Sequence, residues 1–129
     1  MAKNKTHRLG DLQLRIMKVL WERRGASVAE VLDALDDSDA SLAYTTIATM
    51  LRKMEVRGLV SHRTEGRSFI YAPQVEEGDV SRSMANHLVD RLFAGSLFDA
   101  VSHLLTTREV SKDELKQLEK LIADRKKKL

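Results

Sequence analysis

The stretch that decides the fold begins Tyr44-Thr45-Thr46-Ile47-Ala48-Thr49-Met50-Leu51-Arg52-Lys53-Met54, turns at Arg57-Gly58-Leu59-Val60 and ends Phe69-Ile70-Tyr71-Ala72-Pro73. Ile47, Met50, Leu51 and Met54 recur at helical spacing, which predicts a helix from about Tyr44 to Arg57 with that side buried. Gly58 supplies its stop. The opposite side carries Thr45, Thr46, Thr49, Arg52 and Lys53, with Glu55 as the only neighbouring carboxylate. Leu59 to Thr64 and Ser68 to Ala72 are rich in β-branched and aromatic residues, and Phe69 and Tyr71 share one side of a period-2 strand. With Glu65-Gly66-Arg67 between them, these segments predict a β-hairpin that Pro73 ends.

Working upstream, Leu9, Leu12, Ile16, Val19 and Leu20 form a helical stripe within Leu9 to Arg24, with Arg15, Lys18 and Arg23 on the other side and Trp21 expected in the core. Ser27-Val28-Ala29-Glu30 has the spacing of a capping box, followed by a helix lined by Val28, Val31, Leu32 and Leu35. Asp36 to Ala40 has no apolar period and reads as a loop. Downstream, Gln74 to Asp79, with three acids and a glycine, reads as a short linker. Only helical patterns follow: Met84, Leu88, Val89, Leu92 and Phe93; then Leu97, Phe98, Val101, Leu104 and Leu105; then Leu115, Leu118, Leu121 and Ile122. Gly95-Ser96 and Thr106 to Ser111 separate them. Ser111-Lys112-Asp113-Glu114 repeats the capping-box spacing, and the basic run Arg125-Lys126-Lys127-Lys128 suits a helix C-terminus.

With 129 residues, the chain has room for one ordinary domain, or for a small domain with an oligomerisation tail, and not for a large multidomain enzyme. Hydrophobic residues at 43%, charged residues at 32% and only 6 Gly and 1 Pro predict a folded, mainly α protein. The cysteine count of 0 excludes disulfides, thiolate metal sites and cysteine nucleophiles. No apolar run approaches the roughly 20 residues that span a bilayer, and the basic start has no apolar signal region behind it. A cytoplasmic protein without membrane insertion is the expectation. His7, His62, His87 and His103 are too scattered for a metal-ligand spacing, and there is no Gly-rich phosphate loop, nucleophile elbow or supported pair of carboxylates. The sequence therefore predicts no enzymatic activity, no metal and no cofactor.

The order helix, helix, helix, hairpin matches a winged helix-turn-helix, a module that places its third helix in the DNA major groove and its hairpin along the backbone. Residues 1–79 are assigned to this DNA-binding domain. Residues 80–129 are assigned to a homodimerisation domain, because three short amphipathic helices bury too little surface to stand alone. Leu88, Leu92, Phe93, Leu97, Phe98, Val101, Leu104, Leu115, Leu118 and Ile122 are the residues expected to meet the second copy. The net charge of +3 is uninformative as a total but not by segment. Residues 1–24 carry +5, 25–40 carry −5, 41–73 carry +3, 74–79 carry −3 and 80–129 carry +3. The bases thus gather on the first helix, the third helix and the hairpin, as a surface facing phosphates requires.

Thr45, Thr46 and Thr49, with Arg52 and Lys53, suit base edges and phosphates, the ordinary alternative being a solvated helix face. Threonine is a poor helix former, so three on one exposed face call for another reason. Tyr44 either bonds a phosphate through its hydroxyl or packs on the first helix. His62, Arg63 and Arg67 are placed to hold phosphate from the wing, or are hairpin decoration. The rival functional reading is a winged-helix protein-interaction module whose third helix docks a protein and which binds no DNA; it calls for an apolar outer face on that helix.

The chain also resembles the penicillinase-repressor family, the BlaI/MecI/CopY group of winged-helix transcriptional repressors. The likeness rests on Ile16-Met17-Lys18-Val19-Leu20-Trp21, Tyr44-Thr45-Thr46-Ile47 leading to Leu51, Arg57-Gly58-Leu59-Val60, Phe69-Ile70-Tyr71-Ala72-Pro73 and Phe93-Ala94-Gly95-Ser96, in order from Leu9 to about Ala123. The resemblance implies a homodimer whose winged helices occupy two half-sites of a palindromic double-stranded DNA operator, with intertwined C-terminal helices. It places Thr45, Thr46, Thr49 and Lys53 on the DNA-reading helix, and Arg63 and Arg67 near the wing contacts. Some relatives are inactivated when a membrane-bound zinc protease sensor triggers a cut in the C-terminal region. The aligned stretch is about Leu97 to Leu105, with His103-Leu104 at the bond. Copper-responsive relatives use C-terminal cysteines, which this chain lacks. Family members often have Thr at the position of Gly10 and an acidic-aromatic pair at Gln13 and Leu14, departures that touch the first helix and its cap.

Overall fold

The computed structural model describes residues 9–35 and 42–129, so the basic arm before Leu9 and the loop expected at Asp36 to Ala40 lie outside the described residues. The elements run α1 (Asp11–Arg23), β1 (Ala26–Ser27), α2 (Val28–Leu35), α3 (Tyr44–Val56), β2 (Val60–Glu65), β3 (Ser68–Pro73), α4 (Glu77–Phe93), α5 (Leu97–Thr107) and α6 (Lys112–Lys127). The chain divides into two compact units, the first ending at Asn86 and the second beginning at His87.

In the first unit the helical stripes converge on one core. Ile47, Leu51 and Met54 of α3 are fully buried with Ile16, Met17 and Leu20 of α1, and Val31 of α2. Removing side chains of this size from water stabilises by about 1.5–3 kcal/mol each, before the cost of ordering them. Met17, which the stripe omitted, is buried, and Met50, which it included, is only half-buried. Trp21 is half-buried as well, and its indole N–H donates to the Val75 carbonyl at 2.9 Å. The capping box at α2 is formed in both directions: the Ser27 N–H donates to the Glu30 carboxylate at 2.8 Å and the Glu30 N–H to the Ser27 hydroxyl at 3.1 Å.

Helix α3 stops where expected, at Gly58, which takes φ +82°. The Gly58 N–H donates to the Glu55 carbonyl and the Leu59 N–H to the Met54 carbonyl, the two bonds of a Schellman motif. The chain then enters an antiparallel hairpin with His62 opposite Tyr71 and Glu65 opposite Ser68. Gly66 and Arg67 make its two-residue turn, with Gly66 at φ +63°, as a type II′ geometry requires of its first central residue. The sequence reading missed β1, which pairs Ala26 with Tyr71 and gives the sheet order β1-β3-β2.

The expected linker at Gln74 to Asp79 is a correction. Helix α4 starts at Glu77, with Glu77 and Asp79 in its first turn, where carboxylates suit the positive end of the helix dipole. Val80 is buried in the winged-helix core and Met84 packs against it, so this unit continues past residue 79 to Asn86.

The second unit holds the end of α4 with α5 and α6. Ser96 and Ser111 cap α5 and α6, their hydroxyls accepting from the Asp99 and Glu114 N–H groups. Among its residues only Ala100 is buried. Leu97 and Phe98 are 68% and 79% exposed, and Leu88, Leu92, Val101, Leu104, Leu115 and Ile122 are exposed too. Phe93 and Leu118 are half-buried, the Phe93 ring lying 5.7 Å from that of His103.

Candidate nucleic-acid interface

Helix α3 has three working sides. One, Ile47, Leu51 and Met54, is spent on the core. A second, Tyr44, Ala48, Arg52 and Glu55, follows helical spacing along the side that meets the wing. The third, Thr45, Thr46, Thr49 and Lys53, is exposed and faces outward, with Val56 at its C-terminal end. No acid lies in the first turn, and Ala43 at the N-cap offers no side-chain acceptor to the leading amides. Such an end favours anions through its N–H groups and dipole. Among the described residues, Lys53 has no ion-pair partner, whereas the Arg52 guanidinium donates to the Thr49 hydroxyl at 3.2 Å.

The wing sorts its three candidates differently. Alternation along β2 puts His62 and Arg63 on opposite faces. His62 shares its face with Phe69 and Tyr71 and turns towards α3, where its Nδ1 lies 2.8 Å and 3.0 Å from the two carboxylate oxygens of Glu55. Arg63 is on the other face, ion-paired with Glu65 at 3.1 Å, an exposed contact of little worth to stability. Arg67, in the turn, lines an open cleft of about 290 Å³ with Tyr44, Arg52, Phe69 and Tyr71. Tyr44 is 54% exposed and borders this cleft. Burial pushes the Tyr71 hydroxyl's pKa up, with Glu55 adding to the effect. The cleft thus brings together Tyr44, Arg52 and Arg67, while His62 and Arg63 are directed elsewhere.

Sequence reading missed two members of this surface. Phe69 stacks on His62 at 4.1 Å between ring centroids and forms part of the cleft wall. The start of α2, through Ser27 and Ala29, forms another part. Gln13, at a position where the chain departs from the family pattern, accepts from the Gly10 N–H and from the Arg57 guanidinium, and its amide donates to Met50 Sδ. It caps α1 and ties it to α3, so the departure stays away from the outward face.

The His103–Leu104 bond lies inside α5. Both residues are exposed, and the His103 carbonyl accepts from the Thr106 and Thr107 hydroxyls. Among the described residues no group of His, Asp and Glu is arranged to hold a metal, and no helix is long and apolar enough to cross a membrane.

Three helices, a short strand and a two-stranded wing, with the third helix turning a face of hydroxyls and a lysine outward, define a winged-helix protein. The chain belongs to the penicillinase repressor family, whose model matches residues 9–124. It is 32% identical over 122 residues to the transcriptional regulator BlaI of Mycobacterium tuberculosis, across 93% of this chain and 86% of that protein. It is 28% identical to the penicillinase repressor of Bacillus licheniformis, across 95% and 94% of the two chains. The solution structure of the DNA-binding domain of the repressor BlaI is similar with a TM-score of 0.51 and 33% identity, covering 58% of this chain and 90% of that one. The structure of the hsRosR-S4 complex shares the fold, with a TM-score of 0.56 and 18% identity over 97% of this chain and 96% of that one.

Proposed function

We propose that the chain is a cytoplasmic, sequence-specific DNA-binding repressor of transcription that acts as a homodimer on a palindromic operator. The observation that carries this reading is the outward face of α3. Thr45, Thr46, Thr49 and Lys53 project together, beside an uncapped helix end and a cleft holding Arg52 and Arg67. Hydroxyls read base edges, the cations hold phosphate, and the wing lies where the backbone leaves the major groove. The relatives' names, repressor and transcriptional regulator, support the same reading. The exposed leucines and phenylalanine of the second unit support the dimer, since α5 and α6 have little core without a second copy. The functional halves of this proposal are residues 1–79 and 80–129, with α4 running from one into the other and its Val80 and Met84 packed in the winged-helix core.

Fluorescence anisotropy with labelled duplexes from the region upstream of the chain's own gene tests it. Affinity for one duplex should exceed that for unrelated DNA and fall steeply with salt, through release of counterions. Equal binding to every duplex, or none to any, overturns the reading. The protein-interaction alternative finds little support, because three threonines and a lysine dominate the outer face of α3.

The family resemblance adds a membrane-bound sensor protease as a partner. A protease takes its substrate extended, so a cut at His103–Leu104 requires α5 to open locally. Co-expression with the sensor protease and its inducer should produce the cut chain, and an intact repressor counts against this arm of the proposal.

A further inference from the structure

We infer that Glu55 and His62 form a latch that sets the angle of the wing against the reading helix, making His62 a positioning residue. This rests on the DNA-binding reading above. The base of the hairpin is fixed, since Tyr71 is buried and pairs with Ala26 of β1, but the outer part from His62 to Phe69 is exposed at every residue, and a two-stranded ribbon is marginal by itself. Among the described residues, the side-chain hydrogen bond from that part to α3 is the one between His62 and Glu55. A carboxylate only accepts, so the His62 Nδ1–H donates to Glu55, at 2.8 Å and 3.0 Å from its two oxygens. Phe69 stacks on one side of the imidazole at 4.1 Å and Tyr71 tilts beside it at 5.5 Å. The His62 and Glu55 side chains are 30% and 33% exposed, so water still reaches the bond and the effect expected of it is modest.

The two ends of the latch carry different functional groups. Glu55 lies on the helix that presents Thr45, Thr46, Thr49 and Lys53. His62 lies on the strand that leads through Arg63 to the turn at Arg67. With the latch closed, the guanidinium groups of the wing are held at one distance from the threonines of α3. With it open, the outer part of the hairpin must be ordered anew at each binding event, and part of the affinity is lost.

A latch and a phosphate contact predict opposite signs. If His62 held phosphate and Glu55 were simply a nearby acid, Glu55→Ala would tighten DNA binding by removing a negative charge, and His62→Ala would lower the salt slope by about one. The latch predicts that Glu55→Ala and His62→Ala each weaken binding about three- to tenfold with the salt slope unchanged. The double variant should then be no weaker than His62→Ala, which already removes the bond together with the ring contacts. Glu55→Gln, which keeps an acceptor, should bind close to the unmodified protein. Hydroxyl-radical footprints should show protection lost over the wing's phosphates and kept over the bases read by α3.

The experiment is salt-dependent anisotropy on these four variants with a duplex that the unmodified chain binds, accompanied by thermal unfolding of each. Tighter binding by Glu55→Ala, a smaller salt slope for His62→Ala, or additive losses in the double variant would overturn the latch. So would unchanged binding in both single variants. Absence of DNA binding by the unmodified chain contradicts the functional proposal instead, so the two failures are distinguishable.

Discussion

The Trp21 indole donates its N–H to the Val75 carbonyl at 2.9 Å, a bond that crosses 54 residues and ties the end of α1 to the chain leaving the wing. The helical half of the DNA-binding unit and its hairpin are thereby joined. Trp21→Phe keeps most of the ring and leaves the Val75 carbonyl without its donor. The expected cost is about 1–2 kcal/mol, read as a lower urea midpoint. An unchanged midpoint would mean that water replaces the indole at no penalty.

The capping box of α2 gives a pH dependence of known sign. The Ser27 backbone N–H, and then its hydroxyl, hold the Glu30 carboxyl below its ordinary value of 4.5. A carboxyl depressed in the folded state contributes stability above its unfolded pKa and loses it as pH falls through the folded value. Acid titration followed by circular dichroism should therefore show a smaller loss of stability below pH 4.5 for Glu30→Gln than for the parent chain. Ser27→Ala should cost about 1 kcal/mol at neutral pH, the usual loss of an N-cap.

Gly58 makes the transition from reading helix to wing at φ +82°. A Cβ there meets no atom within 4 Å, so the penalty of Gly58→Ala is conformational and not steric crowding by neighbours. About 1–2 kcal/mol of destabilisation is expected in thermal unfolding, with DNA contacts themselves untouched. A neutral result would show that the Schellman turn relaxes without cost.

The proposed homodimer would make the second unit sensitive to charge. Phe98 is 79% exposed in the single chain, and Phe98→Glu should convert the dimer to a monomer in sedimentation while leaving the far-ultraviolet spectrum nearly unchanged. A parent chain that sediments as a monomer at micromolar concentration contradicts the dimer outright.

Much of this architecture is legible in the chain because periodicity carries it. Ile47, Leu51 and Met54 mark the buried side of α3, and Ser27 and Glu30 announce α2 through a local bond that needs no tertiary context. Strand β1 is two residues long, too short to show alternation, and exists only because β3 lies beside it. Glu76, Glu77 and Asp79 read as a linker because carboxylates are equally at home in a loop and in the first turn of a helix. The site divides in the same way. The outward threonines follow from helical spacing alone, whereas Glu55 and His62 meet only when the hairpin folds back on α3. Arg67 reaches the cleft beside Arg52 by the same fold-back, and Arg63 is turned to the opposite face by a one-residue step along β2.

In the proposed function, Thr45 and Thr46 on α3 read DNA sequence. Selection from a randomised duplex pool, sequenced after binding to the parent chain and to Thr45→Ala and Thr46→Ala, tests it most directly. The parent should enrich a palindrome with half-sites about one helical turn apart, and each variant should relax preference at a distinct position within the half-site. A parent chain that enriches no sequence, or variants that select the same motif as the parent, would contradict it.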